Sequence, residues 1–165
     1  MQTGYKVIDV MTNKPVMATK GMSVKDAAKL MGETNVNSLV VVEEEKAIGI
    51  ITDEDFVRKI VSKGLEPKRL KLNDIMVTDL ISITPEKDIY DALLLMRDHN
   101  IRQLPVIDKG RLVGFLTAKD ILKIEPELFD LFIEKYEIRE QERKIAEPQE
   151  DAFSEFFRKI GIKRK

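Results

Sequence analysis

Residues 49–55 read GIITDED, and residues 114–120 read GFLTAKD. Each is an apolar run that contains a glycine, ends in threonine and sets an aspartate three positions later. The second follows the first by 65 positions, and working outward at that spacing aligns residues 9–59 with 74–124 without a gap. Identical pairs recur along the whole alignment: Asp9/Asp74, Met11/Met76, Thr19/Thr84, Asp26/Asp91, Ala27/Ala92, Leu30/Leu95, Met31/Met96, Asn35/Asn100, Leu39/Leu104, Val41/Val106, Gly49/Gly114, Thr52/Thr117 and Asp55/Asp120. Chance does not hold one register over such a stretch. The chain is a tandem duplication.

Each copy reads β-α-β-β-α. A short strand is expected around Val16 and around Ile81. An amphipathic helix follows, with Val24, Ala27, Ala28 and Met31 on one face, matched by Ile89, Ala92, Leu93 and Met96. Ser23 and Asp88 stand at the N-cap positions of these helices. Two apolar strands come next, SLVVV then AIGII in the first copy and QLPVI then LVGFL in the second. The connections EEEK and DKGR between them read as hairpin turns, the first without a glycine. A second helix starts just after Thr52 and just after Thr117. The stretch SKGLEPKRLK at 62–71 reads as a linker.

Composition narrows what such a chain can do. Hydrophobic residues make up 43%, enough for a core, while 28 Lys and Arg against 29 Asp and Glu leave a net charge of −1. That balance gives no reason to expect nucleic-acid binding. There is no cysteine and one histidine, so neither a disulfide framework nor a Cys- or multi-His metal site can form. The chain carries no P-loop and no G-x-S-x-G motif. It has no apolar run of the ~18 residues needed to span a bilayer and no signal-peptide pattern. An enzyme is not expected; a cytoplasmic protein is.

The repeat resembles the CBS domain, which typically occurs in pairs that form one pseudo-twofold (Bateman) module. The G-h-h-T-x-x-D stretches at 49–55 and 114–120 carry the resemblance. So do LPVID at 104–108 and the openings DVM at 9–11 and DIM at 74–76. It implies a mixed α/β (α+β) fold with repeat one over residues 1–65 and repeat two over 66–124, which leaves 125–165 as a helical C-terminal extension outside the resemblance. It also implies a regulatory module that needs no cofactor and binds AMP, ADP, ATP or S-adenosylmethionine in the clefts between the repeats, as a homodimer. Carried over by motif, Asp55 and Asp120 would accept bonds from a ribose diol, and Thr52 and Thr117 would bond phosphate. Backbone around Pro15–Val16 and Leu80–Ile81 would read the adenine edge. Charge-assisted ribose bonds of about 1.5 kcal/mol each and stacking of about 2 kcal/mol put affinity in the micromolar to millimolar range.

Two roles for T-x-x-D stand side by side, because threonine at a helix N-cap with an acid three residues on is also a capping box. The two copies differ in charge. Repeat two brings Arg102 and Gln103 before its central strand and Lys119 between Thr117 and Asp120. Repeat one has Asn37, Ser38, Asp53 and Glu54 at the matching positions. The cations favour a charged nucleotide at the Asp120 site, although Arg102 and Lys119 also read as ordinary solvated charges.

Residues 125–165 have no counterpart in the repeat. Two apolar helix faces are expected there, one from Phe129, Phe132, Ile133 and Tyr136, the other from Phe153, Phe156, Phe157 and Ile160. Packing within the protein or its dimer is one use for such faces, and docking a protein partner is another. A structural or dimerisation scaffold with vestigial sites, acting through that helix, is the alternative function.

Overall fold

The structure is a computed structural model and describes residues 2–131 and 133. The chain divides between Glu127 and Leu128 into two units, and both repeats lie in the first. Its elements run α1 (Val7–Val10), β1 (Met17–Thr19), α2 (Val24–Thr34), β2 (Ser38–Glu43), β3 (Lys46–Thr52), α3 (Asp53–Lys59), α4 (Leu72–Ile75), α5 (Ile89–His99), β4 (Gln103–Asp108), β5 (Arg111–Thr117) and α6 (Ala118–Ile124). Single 3-10 turns occupy Val61–Lys63 and Pro126–Leu128. The apolar residues Phe132, Tyr136, Phe153, Phe156, Phe157 and Ile160 lie outside the described residues.

Local chemistry accounts for both long helices. Ser23 Oγ accepts the Asp26 N–H at 3.1 Å to open α2, and the Asp88 carboxylate accepts the Tyr90 N–H at 2.8 Å to open α5. Each ends on an asparagine in the left-handed region, Asn35 at φ 53° and Asn100 at φ 54°. Asparagine tolerates that conformation better than any residue but glycine, which explains why the pair is identical.

In repeat one β2 is central, parallel to β1 and antiparallel to β3. Its first four residues, Ser38 and the apolar Leu39, Val40 and Val41, are buried, as expected of a strand covered on both faces. In repeat two β4 pairs with β5 in the matching register, but the strand expected around Ile81 does not form. One parallel bridge, Ile83 to Val106, stands where Ala18 pairs with Val41 in repeat one. The cause is Pro105. It occupies the place of Val40, and without an N–H it cannot donate to Ile81, where the ladder would continue.

The leading segments are exchanged between the repeats. Val7 and Ile8 donate to the carbonyls of Lys87 and Pro85 at 2.8 and 3.0 Å, while Leu72 and Asn73 donate to those of Met22 and Lys20 at 3.0 and 3.1 Å. Thr12 and Phe115 exchange both amide–carbonyl bonds, as do Val77 and Ile50. Leu72 and Ile75 thereby enter the repeat-one core beside Val24, Leu39, Val41, Ile51 and Ile60. Val7, fully buried, sits on α1 against α5 and α6. Asp9 and Asp74 close the single turns α1 and α4 by accepting the Lys6 and Lys71 N–H groups at 2.9 and 2.8 Å. Neither repeat completes its core alone.

Candidate functional site

Register brings the candidate residues to one end of each sheet. Ser38 pairs with Thr52, and Met17 with Val40, so Pro15 and Val16, just ahead of Met17, reach the level of Ser38 and Leu39. In repeat two Gln103 pairs with Thr117, and the Ile83 bridge to Val106 puts Leu80 and Ile81 at the level of Gln103 and Leu104. All four of these leading residues are half-buried. The two sheet ends meet: Ser38, the one buried polar residue among those described, donates from Oγ to Gln103 Oε1 at 3.0 Å.

Both T-x-x-D motifs close capping boxes. Thr52 donates its N–H and hydroxyl to Asp55 Oδ2 at 2.9 and 3.0 Å, and Thr52 Oγ1 accepts the Asp55 N–H at 3.3 Å. Thr117 and Asp120 repeat the pattern at 3.1, 2.6 and 3.2 Å. The hydroxyl therefore accepts one bond and donates another, and each motif positions its carboxylate whether or not anything binds.

The second carboxylate oxygen separates the copies. Asp55 Oδ1 meets the Lys59 ammonium at 2.9 Å, one helical turn on, and Lys59 also donates to the Ile75 carbonyl at 2.7 Å. Isoleucine stands at 124, the counterpart of Lys59, and among the described residues Asp120 Oδ1 has no hydrogen-bond partner. The Asp55–Lys59 spacing is a standard helical ion-pair signal, legible in the sequence once 59 is set against 124.

Charges around the two sites are less separate than the sequence suggests. The Arg102 carbonyl accepts the Ala118 N–H at 2.9 Å, within repeat two, but its guanidinium reaches across to Glu54 Oε1 at 3.1 Å. Glu54 also meets Arg58 at 3.4 Å. The cation expected to serve the Asp120 site is thus shared with an acid on the first turn of α3, because the sheet ends abut. Asn37 donates to Asp53 Oδ2 at 2.8 Å. Lys119 is exposed and makes no ion pair among the described residues. Asn37 and Asp53 also line a cleft of about 260 Å³ with Ala28, Met31, Val36 and Phe56. That cleft lies between α2 and α3 and is lined by repeat-one residues alone.

Known proteins align along the same repeat. A family model for the CBS domain matches residues 7–62 and 72–127. The uncharacterized protein MJ0653 of Methanocaldococcus jannaschii is 39% identical over 149 residues, 90% of this chain and 77% of its own length. The uncharacterized protein MJ0450 of the same organism is 36% identical over 118 residues, 70% of this chain. The chain spans 63% of that relative, less than two thirds. Among solved structures, the CBS domain pair of protein MJ0100, in complex with 5′-methylthioadenosine and S-adenosyl-L-methionine, superposes with a TM-score of 0.67 at 29% identity. The superposition covers 73% of this chain and 94% of that one. Among the described residues no helix is long and apolar enough to cross a membrane.

Proposed function

The chain belongs to the CBS-domain family, and from that premise we propose that its repeats form a non-enzymatic regulatory module that binds an adenosine-containing ligand between them. One observation carries the reading. Thr117 holds Asp120 in place through Oδ2, while Oδ1 is left without a partner among the described residues. An ionised carboxylate only accepts hydrogen bonds, so a fixed carboxylate with a spare oxygen suits the two donors of a ribose diol. Gln103 and the backbone of Leu80–Ile81 lie at the same sheet end, where an adenine edge would be read. That the MJ0100 pair binds two adenosine compounds supports the ligand class. AMP, ADP, ATP and S-adenosyl-L-methionine are the candidates. Lys119 is the cation left to meet a phosphate, since Arg102 is engaged by Glu54.

The reading extends to a homodimer. Ala28 and Gly32 on α2, with Val57 at 59% and Val61 at 70% exposure, leave small and apolar groups uncovered on repeat one, and a second copy of the chain would bury them. Output to a partner would then pass through the dimer or through residues 125–165.

A thermal-shift screen of the four ligands tests the binding. A ligand at about a hundred times its dissociation constant adds ~2.7 kcal/mol to folding stability. The melting temperature should therefore rise with at least one ligand, and Asp120→Ala should remove the rise. The complete capping boxes favour one competing reading, a scaffold whose T-x-x-D motifs only start helices. That reading gives an unchanged melting temperature with every ligand.

A further inference from the structure

We propose that Lys59 occupies, from within the chain, the hydrogen-bonding position that a ribose would need at Asp55, so that the repeat-one site is closed while its counterpart at Asp120 is open. This rests on the ribose reading of Asp120 given above.

Both oxygens of Asp55 are already engaged. Oδ2 takes the Thr52 N–H and hydroxyl, and Oδ1 takes the Lys59 ammonium at 2.9 Å. The lysine is anchored at a second point, the carbonyl of Ile75 at 2.7 Å. Ile75 is the last residue of α4, where helix carbonyls lack intrahelical donors. The Asp55 and Lys59 side chains are only 16% and 34% exposed, so the pair is better shielded than the surface pairs Lys29–Glu33 and Arg58–Glu54. Lys59 holds one of the two acceptor sites of Oδ1, so a diol that bonds there through both hydroxyls would have to displace the cation and leave the Ile75 carbonyl without its donor. At repeat two Ile124 offers no donor at all, and nothing has to be displaced.

Repeat one is also the more acidic side. Asp53, Glu54 and Asp55 crowd the first turn of α3, where repeat two has Ala118, Lys119 and Asp120. Lys59 offsets part of that charge. The lysine therefore ties three things together: the repeat-one motif, the helix it starts, and the segment 70–77 that the linker delivers from repeat two.

The test gives position 59 the isoleucine that stands at the matching position 124. Titration calorimetry with S-adenosyl-L-methionine and, separately, 5′-methylthioadenosine and ATP should give one equivalent bound per wild-type chain and two for Lys59→Ile. It should give none for Asp120→Ala and one for Lys59→Ile combined with Asp120→Ala. A Lys59→Ile protein that melts cooperatively yet still binds one equivalent overturns the proposal. A ligand-free cycle keeps the lock testable even if the wild type binds none of the probes, the result that would defeat the Asp120 reading instead. Lys59→Met, Asp55→Asn and the double variant should show coupling of about threefold to fivefold in the unfolding constant. Additive effects would mean that Lys59 and Asp55 do not hold one another, and the closed site would be ruled out.

Discussion

The sulfur of Met76 rests against the backbone of Gly49, so close that a β-carbon on the glycine would stand 2.6 Å from it and 3.1 Å from the Val77 carbonyl. Met11 lies on Gly114 in the same way. The opening motif of each repeat thus locks onto the closing motif of the other. The two most recognisable features of the sequence, the D-h-M openings and the glycines of G-h-h-T-x-x-D, are one contact made twice.

A methyl group at either glycine should therefore destabilise the protein. Gly to Ala within a strand ordinarily stabilises by about 0.5–1 kcal/mol through backbone entropy. Here overpacking should reverse the sign and cost about 1–3 kcal/mol for Gly49→Ala. Combining it with Met76→Ala should cost less than the sum of the two single changes, since removing the sulfur makes room. Urea denaturation measures both quantities.

The hairpin turns predict a gain. β2 and β3 are joined by Glu44 and Glu45, both in the left-handed region at φ 48° and 65°, a two-residue turn that favours Asn-Gly. The matching turn has Lys109 and Gly110, the glycine at φ 82°. Glu45→Gly should stabilise the protein by about 1 kcal/mol, because a non-glycine residue in this region is strained. The ion pair it removes, Glu45–Arg111 at 3.8 Å and largely exposed, contributes little. An unchanged or lower denaturation midpoint would count against the strain.

Asp88 sets an acid limit. Burial alone would raise its pKa. Hydrogen bonds from the Tyr90 N–H, the Thr3 hydroxyl and the N–H groups of Gly4 and Thr3 outweigh that effect and leave it below the ordinary value of 3.8. A carboxylate depressed in the folded state contributes stability above its unfolded pKa and loses it as pH falls through the lower folded value. Asp88→Ala should thus cost about 1 kcal/mol at pH 7, where a helix cap is lost. The gap to wild type should narrow below about pH 4. A gap constant from pH 7 to pH 3 would show that the charge plays no part.

Much of this was legible in the sequence, because duplication makes each position its own control. The helices, their Ser23 and Asp88 caps, both hairpins and the T-x-x-D positions followed from periodicity and side-chain chemistry. What escaped was long-range. No local pattern says that Val7 pairs with Lys87, or that Met11 and Met76 cross to the opposite glycine, since those contacts are set by pairing between repeats. The strand expected around Ile81 failed through a donor missing on its neighbour, Pro105. Arg102 reads as a repeat-two charge until the abutting sheet ends put Glu54 within reach. Lys59 was in plain view at a helical spacing from Asp55, and only the carboxylate oxygens show what that spacing does.

The central claim is that Asp120 is an open acceptor for a ribose, and titration calorimetry measures it most directly. Wild-type protein and Asp120→Ala should be titrated with whichever of AMP, ADP, ATP and S-adenosyl-L-methionine raises the melting temperature most. Saturable binding in the micromolar to millimolar range is expected, weakened at least about tenfold by the loss of the charge-assisted bonds. Equal affinity in the two proteins, or flat traces from folded protein with all four ligands, would contradict it.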